Sequence, residues 1–442
     1  MTRVLLVGNG AREHAIAEAI RRSKKNPCLY SFMKTNNPGI ASLSETVRLG
    51  RYDDPQAITD FAGECKVDFA FVGPEEPLGN GVVDALLAQG ISAVGPTRSL
   101  ARLETSKSFT RNLLAKYGID GNPRFRNFTT MDGIPEFLEE LDGIVLKPDG
   151  LTGGKGVLVQ GDHFQAKSEA IPFCREILAA HPGVTIEEKL EGEEFSLQCL
   201  CDGWTVVATP PVQDHKRRFA GDRGPNTGGM GSYSGADHLL PFLDADAVAA
   251  GLEITRKVAE ALRSETGTPY KGVLYGGFMT TRTGVRLIEY NARFGDPEAM
   301  NILPLLQTDF IEVCEAIIAG RLDGLDVKFE NKATVCKYIV PQGYGLADSG
   351  FGDESRSARI EIGATGEARL YYSSVDKKPD GLYMTSSRAI GVVGIAADIA
   401  AAESIAECAV KAIRGPVDHR PDIGTAELIQ KRIDHMKRLK DI

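Results

Sequence analysis

The sequence predicts a multidomain protein of mixed α/β and α+β class, and three observations support that prediction. Over roughly the first hundred residues, short apolar runs alternate with helical segments, which is the pattern of a doubly wound α/β domain. From residue 104 onward the strands instead pair around Gly-rich turns, which favours an α+β arrangement. A chain of 442 residues is also too long for one ordinary core. We therefore expect three domains, at residues 1–103, 104–330 and 331–442.

The N-terminal α/β domain is predicted from a series of short apolar runs. Residues 3–7 should form a buried parallel strand, and residues 12–25 the helix that follows it. Further strands of this domain are expected at residues 29–33, 69–72 and 91–94. Helical or turn segments separate these strands, as expected for a doubly wound domain.

The central and C-terminal domains are predicted from a change in the spacing of apolar residues. Residues 104–117 have helical spacing that closes at Gly118, and a small α+β lobe should follow at about residues 123–190. The expected elements of this region are strands at 144–147, 157–160, 185–189 and 195–201, with a helix near 164–179. Beyond them we expect a helix at 247–264, a hairpin of 272–281 and 284–290, strands at 334–340, 359–361, 368–372 and 389–394, and helices at 398–413 and 425–439.

Composition and charge exclude several classes of protein. No run of 18 apolar residues is present, and the first residues lack the long apolar segment of a secretory signal. The formal net charge of -9 argues against a general nucleic-acid binder, whose affinity depends on Lys and Arg. The 8 Cys residues include no C-x-x-C pair, as in a protein of the reducing cytoplasm. We therefore expect a cytoplasmic protein with no nucleic-acid or membrane partner.

The turn between the first strand and the first helix has the sequence Gly-Asn-Gly-Ala-Arg-Glu-His at residues 8–14. Glycines let a ligand approach the backbone there, and a helix N-terminus offers free N–H groups to an anion. A dinucleotide fingerprint would need a third glycine where Glu13 stands, so the turn is a poor signature for a dehydrogenase. A tight turn that binds no ligand is the alternative, and His14 is interpreted as a packing residue rather than a catalyst.

The sharpest feature is the Gly-rich segment at residues 149–156, which joins a strand ending at Lys147 to a strand beginning at Val157. It is not a Walker P-loop, because no Ser or Thr follows Lys155 and a strand rather than a helix comes next. A loop with several backbone N–H groups and a lysine can cover a polyphosphate, while Lys147 offers a second charge from a rigid strand. A plain glycine-rich hairpin is the alternative.

The end of the predicted strand at residues 284–290 carries a candidate metal site. Alternation along a strand places Glu289 and Asn291 on one face. A carboxylate beside an amide oxygen suits Mg²⁺, which prefers oxygen ligands shared with substrate phosphates. Arg293 lies just beyond, where it can stabilise a transferring phosphoryl group or hold a substrate carboxylate. A solvated strand end is the alternative.

Two polar regions complete the candidate site. Residues 187–194 link two strands with acidic side chains that suit an adenine amino group and ribose hydroxyls, although an acidic turn is usually just solvated. Residues 214–217 and 224–231 form a polar loop with little side-chain bulk, which is either disordered or wraps its backbone around a small ligand. We prefer the ligand, because such a composition is rare inside a compact chain.

Together these segments resemble the phosphoribosylamine–glycine ligases, a family of ATP-grasp enzymes of purine biosynthesis. The resemblance covers nearly the whole chain and rests on GNGAREHA, FVGPEEPL, GVVDAL, VGPT, LETSKSFTR, LKPDGLTGGKG, EEKLEGEEFS, QDHKR, GPNTGGMGSYS and IEYNARFGDPE, in that order. GPNTGGMG followed by NARFGDPE is specific to this family among ATP-grasp proteins. The resemblance implies an ATP-grasp core at residues 104–330, with a mobile lobe at about 123–190.

The resemblance also implies a reaction. ATP phosphorylates the carboxylate of glycine, and the amine of 5-phosphoribosylamine attacks the glycyl phosphate to give glycinamide ribonucleotide, ADP and phosphate. ATP, glycine and 5-phosphoribosylamine are then the expected partners and Mg²⁺ or Mn²⁺ the expected cofactor, in a monomer or small homo-oligomer. Most of the catalysis should come from positioning and charge neutralisation rather than from a single base.

Matching the motifs residue by residue gives each candidate an implied role. The implied ATP site consists of Lys107, Lys147, Gly153, Gly154, Lys155, Gly156, Glu187, Glu188, Leu190 and Glu194. Glu289 and Asn291 match the metal ligands. The implied glycine and phosphoryl-transfer site consists of Asp214, Asn226, Thr227, Gly228, Gly229, Met230, Arg293, Gly295 and Asp296. Arg293, Asp214 and Lys155 are expected to be catalytic. The implied phosphoribosylamine site includes Asn9, Gly10, Arg12, Glu13 and Glu75.

Two departures from the family pattern and two rival functions stay open. Many members have Gly-Asn-Ala-Gly where this chain has Asn-Pro-Gly-Ile at residues 37–40, which leaves the phosphate contacts there unassigned. Residues 273–279 contain no carboxylate, although many ATP-grasp enzymes place a further metal ligand on this strand.

The rivals are another ATP-grasp ligase, such as a purine-pathway carboxylase, and a non-catalytic nucleotide-binding protein. GPNTGGMG argues against the first, and the presence of Lys147, Glu289 and Asn291 argues against the second.

Overall fold

A computed structural model describes residues 1–151, 156–346 and 357–441 of the chain. Its strands, numbered β1 to β25 in chain order, form six sheets within that part. The ladders of the first sheet are parallel. The ladders of the later sheets are antiparallel. This mixture confirms the predicted α/β and α+β multidomain class.

The first sheet has the strand order β3-β2-β1-β4-β5. Its strands are β1 (Arg3–Val7), β2 (Cys28–Met33), β3 (Thr46–Leu49), β4 (Phe69–Val72) and β5 (Ser92–Val94). The helices of this region are Ala11–Arg21, Pro38–Leu43, Pro55–Cys65, Glu75–Gly79, Val82–Ala88 and Arg98–Thr105. Four of the strands were predicted from their buried apolar runs. Strand β3 was missed because its four residues are all at least partly exposed and form no such run.

The helix predicted at residues 104–117 is in fact two helices, Arg98–Thr105 and Lys107–Lys116. Ser106 separates them with extended backbone, and its Oγ accepts a hydrogen bond from the Phe109 N–H at 3.2 Å. A serine in this position is an N-cap, so it starts a new helix instead of continuing the previous one.

A four-stranded sheet in the order β6-β9-β7-β8 spans residues 125–188, within the lobe predicted at about residues 123–190. Its elements are β6 (Phe125–Phe128), β7 (Ile144–Pro148), β8 (Leu158–Val159) and β9 (Val184–Glu188), with helices Ile134–Glu139 and Ala170–Ala180 and the short 3-10 helix Lys167–Glu169. An apolar core that includes Phe137, Leu146 and Ile186 lies wholly within this unit. A core of its own is what a lobe needs to move as one body, and the mobility itself stays a prediction.

The second central sheet is antiparallel and has the order β11-β10-β16-β17. Its strands are β10 (Gly192–Cys201), β11 (Val206–Ala208), β16 (Gly272–Thr281) and β17 (Gly284–Asn291). Alternation sends Phe195 and Leu197 of β10 into the core beneath the long helix Ala245–Thr266. The opposite face, called the site face below, carries Glu194, Gln198, Gly277, Glu289 and Asn291.

The third large sheet draws strands from both the central and the C-terminal segments. Its order is β12-β15-β18-β23-β20, with β25 also paired to β18. The strands are β12 (Gln213–Asp214), β15 (Gly231–Ser234), β18 (Ala333–Pro341), β20 (Arg369–Tyr372), β23 (Ile390–Ala396) and β25 (Val417–Asp418). The pairing of β15 with β18 crosses the boundary predicted at residue 330, so the C-terminal segment lies beside the central site.

The remaining elements are small strands and helices around these sheets. A hairpin of β13 (Arg217–Phe219) and β14 (Arg223–Asn226) forms part of the region predicted to be a polar loop. A further sheet contains β19 (Arg359–Ile362), β21 (Val375–Lys378), β22 (Gly381–Met384) and β24 (Ile413–Arg414). The other helices are Glu298–Ile302, Phe310–Ala319, Ile399–Lys411 and Ala426–Lys440, with 3-10 helices Leu303–Leu305 and Leu322–Gly324. None of the helices in the described ranges combines the length and apolar character needed to span a membrane.

His14 links the helix Ala11–Arg21 to strand β20. Its ring stacks on Tyr372 with the centroids 5.6 Å apart, and its Nδ1 accepts a hydrogen bond from the Tyr372 N–H at 2.9 Å. Burial lowers the pKa of His14 from 6.5 to about 4. These contacts confirm the packing role predicted for His14.

We expect His14 to make the protein less stable as the pH falls from 6.5 towards 4. Above pH 6.5 the ring is mostly neutral in both the folded and unfolded states, whereas below it the unfolded ring takes up a proton that the folded ring refuses. From this group alone, the free energy of unfolding should fall by about 2 kcal/mol between roughly pH 7 and pH 5. Urea unfolding of the wild type and of His14→Gln across this range measures the effect.

The wild type should lose stability more steeply with falling pH than His14→Gln. The control His181→Gln changes a partly exposed histidine and should keep the wild-type slope. Equal slopes in the wild type and His14→Gln would contradict the prediction.

Candidate active site

Strand β17 presents the predicted metal-binding pair on the site face. A β-bulge at Ile288 leaves this residue without a partner in β16 and reverses the alternation of β17. Leu287 therefore faces the core before the bulge and Tyr290 faces it afterwards. Glu289 and Asn291 follow the bulge and lie together on the site face, as alternation predicted.

Lysines around Glu289 keep its carboxylate ionised. Burial would raise the pKa of Glu289, but Lys216, Lys147 and Lys107 outweigh burial and lower it. The Lys216 Nζ lies 4.0 Å from Glu289 Oε1. In residues 1–151, 156–346 and 357–441, no three His, Cys, Asp or Glu side chains converge to hold a metal ion. An ionised carboxylate beside an amide oxygen fits a cation that completes its coordination with phosphate oxygens.

Lys147 belongs to a buried ion cluster between the lobe and the central sheet. Its Nζ lies 2.8 Å from Glu187 Oε2 and donates to Ile288 O at 2.8 Å. Arg111 donates to both Glu187 oxygens, from Nε at 2.6 Å and from Nη2 at 2.9 Å. Burial lowers the pKa of Lys147, and the Glu187 carboxylate opposes that change. The side chain of Glu187 therefore positions Lys147, and its contact with ATP stays a prediction.

The Gly-rich segment begins beside the helix Lys107–Lys116, where Lys107 Nζ donates to Gly150 O at 2.5 Å. Gly156, the last residue of the segment, has a φ of 90°, a conformation that favours glycine. Three residues predicted to contact ATP lie outside the described part of the chain: Gly153, Gly154 and Lys155.

The linker from β9 to β10 carries the rest of the predicted ATP site. The Glu188 carboxylate accepts a hydrogen bond from the N–H of Arg124, the residue before β6, at 2.8 Å. Leu190 is half-buried between the strands. Glu194 is exposed at the start of β10, and its Oε2 lies 3.4 Å from Lys216 Nζ. Glu194 is the main cause of a raised pKa at Lys216. Lys216 thus connects the linker to the metal-binding pair.

Arg388 fastens the glycine turn at residues 227–230 to the loop that follows β17. Its guanidinium donates to Gly228 O, to Gly229 O at 3.0 Å and to Asp296 O at 3.1 Å. The Tyr338 hydroxyl donates to Asp296 Oδ1 at 2.5 Å, and Arg388 lies over the Tyr338 ring. Two side chains of the C-terminal segment thereby fix the turn and the loop against each other.

Asp214 lies against the same glycine turn. A Cβ added at Gly229 would lie 2.7 Å from Asp214 Oδ1. Among the described residues, this buried oxygen has no hydrogen-bond partner. Burial and the nearby Glu298 carboxylate raise the pKa of Asp214 well above its ordinary value. Gly295 lies close by, where its N–H donates to Gln198 Oε1 at 2.8 Å.

Three residues predicted to bind substrate have structural roles in the turn. The Thr227 hydroxyl donates to the backbone carbonyl of Lys216 at 2.9 Å, and Asn226 is the last residue of β14. Met230 is fully buried in the core, and both its N–H and its carbonyl are bonded to other parts of the backbone. An apolar side chain between core strands is expected to pack in the core, and the contact of Met230 with the substrate stays a prediction.

The turn after β1 brings the predicted phosphoribosylamine residues together. Arg12 forms an ion pair with Glu13 and lies 3.7 Å from Glu75 Oε2. The Gly10 N–H donates to Glu13 Oε2 at 2.7 Å, and Asn9 lies at the same turn. Arg12 also donates to a backbone carbonyl of the loop after β17 at 3.1 Å, so this turn adjoins the central site.

Arg293 stands between the first domain and the central sheet. Its Nη2 lies 2.9 Å from Glu104 Oε1, and its Nε lies 3.2 Å from Glu75 Oε2. Burial would raise the pKa of Glu75, but Arg293 and Arg12 outweigh it and lower the value to about 2. Two carboxylates thus hold the guanidinium of Arg293 at the boundary between the two parts of the site.

Asn37 caps the helix Pro38–Leu43 at the position that departs from the family pattern. Its Oδ1 accepts the Gly39 and Ile40 N–H groups at 2.9 and 3.2 Å. Its Nδ2 donates to Asn9 O at 2.9 Å. The side chain of Asn37 therefore occupies N–H groups that a phosphate would otherwise need.

Sequence reasoning assigned no individual role to six residues of this site: Arg111, Gln198, Lys216, Glu298, Tyr338 and Arg388. Arg111, Lys216 and Glu298 lie inside recognisable motifs, so their positions offered a usable signal. Arg388 contacts a glycine 160 residues earlier in the chain, and no local pattern could have indicated it.

Comparison with known proteins relates these features to one family. Residues 2–104 match the family model for the N domain of phosphoribosylglycinamide synthetase, and residues 105–299 match the model for its ATP-grasp (A) domain. The phosphoribosylamine–glycine ligase of Methanosarcina acetivorans is 48% identical over 438 residues, which cover 99% of this chain and 98% of that protein.

Solved structures agree on the fold. The phosphoribosylamine–glycine ligase of Thermotoga maritima has a TM-score of 0.79 at 26% identity, covering 95% of this chain and 100% of that one. The biotin carboxylase domain of the Hydrogenobacter thermophilus 2-oxoglutarate carboxylase has a TM-score of 0.71 at 15% identity, covering 99% and 94% of the two chains. At that low identity the second similarity shows a shared fold alone.

Proposed function

The chain belongs to the phosphoribosylglycinamide synthetase family, the phosphoribosylamine–glycine ligases, and from this premise we propose how its site residues divide the reaction. The reaction is the ATP-dependent, ADP-forming ligation of glycine to 5-phosphoribosylamine in purine biosynthesis. A carboxylate is a poor acyl donor, so the γ-phosphoryl group of ATP first moves to a carboxylate oxygen of glycine and ADP leaves. The amine of 5-phosphoribosylamine then attacks the carbonyl carbon, phosphate leaves and glycinamide ribonucleotide forms.

One observation carries the proposed ATP site: Lys147 of the lobe bonds to the residue directly before Glu289. The phosphate-binding side and the metal-binding side of the site therefore meet at Ile288. Glu187 and Ile288 engage two of the three N–H donors of Lys147, which leaves the third for a phosphate oxygen. Lys107 and the Gly-rich segment 149–156 would cover the same phosphates. The linker residues would hold the adenosine end: Glu188, Leu190 and Glu194.

Glu289 and Asn291 would hold a divalent cation, Mg²⁺ or Mn²⁺, shared with the phosphates of ATP. Both ligands come from one strand, and the surrounding lysines favour the ionised carboxylate. When bound, such a cation neutralises charge on the phosphoryl oxygens. The chain supplies the rigid placement of the two oxygen ligands.

Glycine would lie in front of Arg293, beside the glycine turn and the loop after β17. The residues proposed to surround it are Asp214, Gly228, Gly229, Gly295 and Asp296. The residues proposed for 5-phosphoribosylamine are Asn9, Gly10, Arg12, Glu13 and Glu75. Because Arg12 bonds to the loop after β17, the two substrates would meet beside Arg293. The fixed guanidinium of Arg293 could then stabilise charge on the transferring phosphoryl group.

The acyl phosphate hydrolyses readily, so the site must exclude water until the amine arrives. We propose that the lobe at residues 123–190, which has its own apolar core, closes over ATP for this purpose. The proposed domains remain residues 1–103, 104–330 and 331–442, with β12 and β15 of the second completing the sheet of the third.

Phosphate release should require both co-substrates together. With ATP and Mg²⁺, neither glycine alone nor freshly made 5-phosphoribosylamine alone should release phosphate above background. The complete mixture should release one phosphate for each glycinamide ribonucleotide, and replacing Mg²⁺ with Mn²⁺ compares the two metals. Phosphate release with another carboxylate, and none with glycine, would overturn the assignment.

A further inference from the structure

Two buried polar atoms near the loop after β17 have no hydrogen-bond partner in the described part of the chain: Asp214 Oδ1 and Gln198 Nε2. Gln198 is fully buried on the site face, and its Oε1 accepts the Gly295 N–H at 2.8 Å. A buried polar group without a partner is costly, so a fold keeps one mainly where something else completes it. The two atoms indicate a space that a polar ligand fills.

Glu298 adds a second carboxylate to this space. It is 2% exposed, and its Oε1 accepts the Tyr275 hydroxyl at 2.8 Å. Its Oε2 faces Gly295, where an added Cβ would lie only 2.3 Å away. A Cβ added at Gly229 would lie 2.7 Å from Asp214 Oδ1 and 2.8 Å from Cδ of Pro297, the residue before Glu298, and the Glu298 carboxylate raises the pKa of Asp214. Two carboxyl groups in one buried space are both ionised only when a cation lies beside them, and otherwise one of them keeps its proton.

The nearby protein cations are engaged elsewhere. Arg388 donates to Gly228 O, Gly229 O and Asp296 O. Lys216 has its ion pairs with Glu194 and Glu289. Neither cation donates a hydrogen bond to Asp214 Oδ1. Both cations lower the pKa of Asp214 without donating to Oδ1, so this oxygen still lacks a donor, and the ammonium group of glycine can supply one.

We propose that Asp214 and Glu298 together bind the ammonium group of the glycine substrate. This inference rests on the proposed placement of glycine beside Asp214 and names the partner of its charged nitrogen. The pair has a chemical consequence, because two carboxylates favour the protonated amine. An ammonium group has no lone pair, so the nitrogen of the bound glycine is not a nucleophile while its carboxylate is activated.

Glycolate tests the proposal, because it has the shape of glycine with a hydroxyl in place of the ammonium group. The KM for glycine and the Ki of glycolate as its competitor are compared in the wild type, Asp214→Asn and Glu298→Gln. Both substitutions keep size and remove charge. The preference for glycine, expressed as the ratio of Ki to KM, should fall about 10- to 100-fold in each variant as a charge-assisted hydrogen bond is lost. Glu260→Gln, on the exposed surface of the helix Ala245–Thr266, should keep the wild-type ratio.

A purely structural role for the two carboxylates would weaken glycine and glycolate in parallel, and an unchanged ratio would overturn the inference. An unchanged KM for ATP shows that each variant has a folded site. If Glu298→Gln fails to fold, Asp214→Asn alone decides the outcome. A wild type that forms no glycinamide ribonucleotide would instead refute the proposed function, so the two failures are distinguishable.

Discussion

Replacing Glu289 with alanine should lower turnover about 1000-fold or more while the protein stays folded. Glu289 is the only charged member of the proposed cation-binding pair, and Asn291 alone offers one neutral oxygen. The substitution also removes the negative charge on β17 that interacts with the positive charges of Lys216 and Lys147. The phosphates of ATP would then be bound without the cation that neutralises their charge. The loss should therefore appear mainly in kcat.

Steady-state kinetics with saturating glycine and 5-phosphoribosylamine measure this loss, and titration with Mn²⁺ in the presence of ADP measures the cation site directly. Glu289→Ala should weaken Mn²⁺ binding, whereas Glu260→Ala, which removes an exposed carboxylate from the helix Ala245–Thr266, should leave both quantities unchanged. The thermal midpoint should change little, because Glu289 has one-third of its side chain exposed. Turnover near the wild-type value would remove Glu289 from the proposed cation site.

The fold could be predicted where its cause is local. Strands β1 and β4 follow from buried apolar runs, and the hairpin of β16 and β17 follows from two such runs around Thr-Arg-Thr-Gly. Elements that depend on a distant partner were not predictable in this way. Strand β15 joins β18 some hundred residues later, and only that pairing makes it part of the C-terminal sheet.

The candidate site, too, could be predicted where its cause is local and could not where it depends on distant residues. Alternation places Glu289 and Asn291 on one face because the bulge at Ile288 lies before them, although the bulge itself depends on register with β16. Sequence can identify carboxylates with a suitable spacing, but it cannot show which of them already form ion pairs with Lys or Arg side chains of the same protein. Glu187 is such a case, since Arg111 and Lys147 engage both of its oxygens.

The substitution Glu187→Gln should lower the free energy of unfolding by about 3–5 kcal/mol. It keeps the shape of the side chain and removes the carboxylate that bonds to both Arg111 and Lys147, each of which is nearly fully buried. Two cations would then share a low-dielectric space in which their repulsion is strong. Lys147 should also move away from Ile288, so the KM for ATP should rise together with the loss of stability.

Urea unfolding measures the change, and a double substitution tests its cause. In Arg111→Met/Glu187→Gln, Lys147 is the one cation left of the Arg111–Glu187–Lys147 cluster. This protein should therefore be more stable than the sum of the two single effects allows. Simple additivity would show that repulsion between Arg111 and Lys147 is not the source of the loss. The control is Glu265→Gln, which breaks a Lys116 ion pair of equal length, 2.6 Å, at an exposed position. Because water and salt screen that pair, its loss should leave the unfolding midpoint nearly unchanged. The difference between Glu187→Gln and Glu265→Gln then shows that burial is the reason why Glu187 contributes to stability.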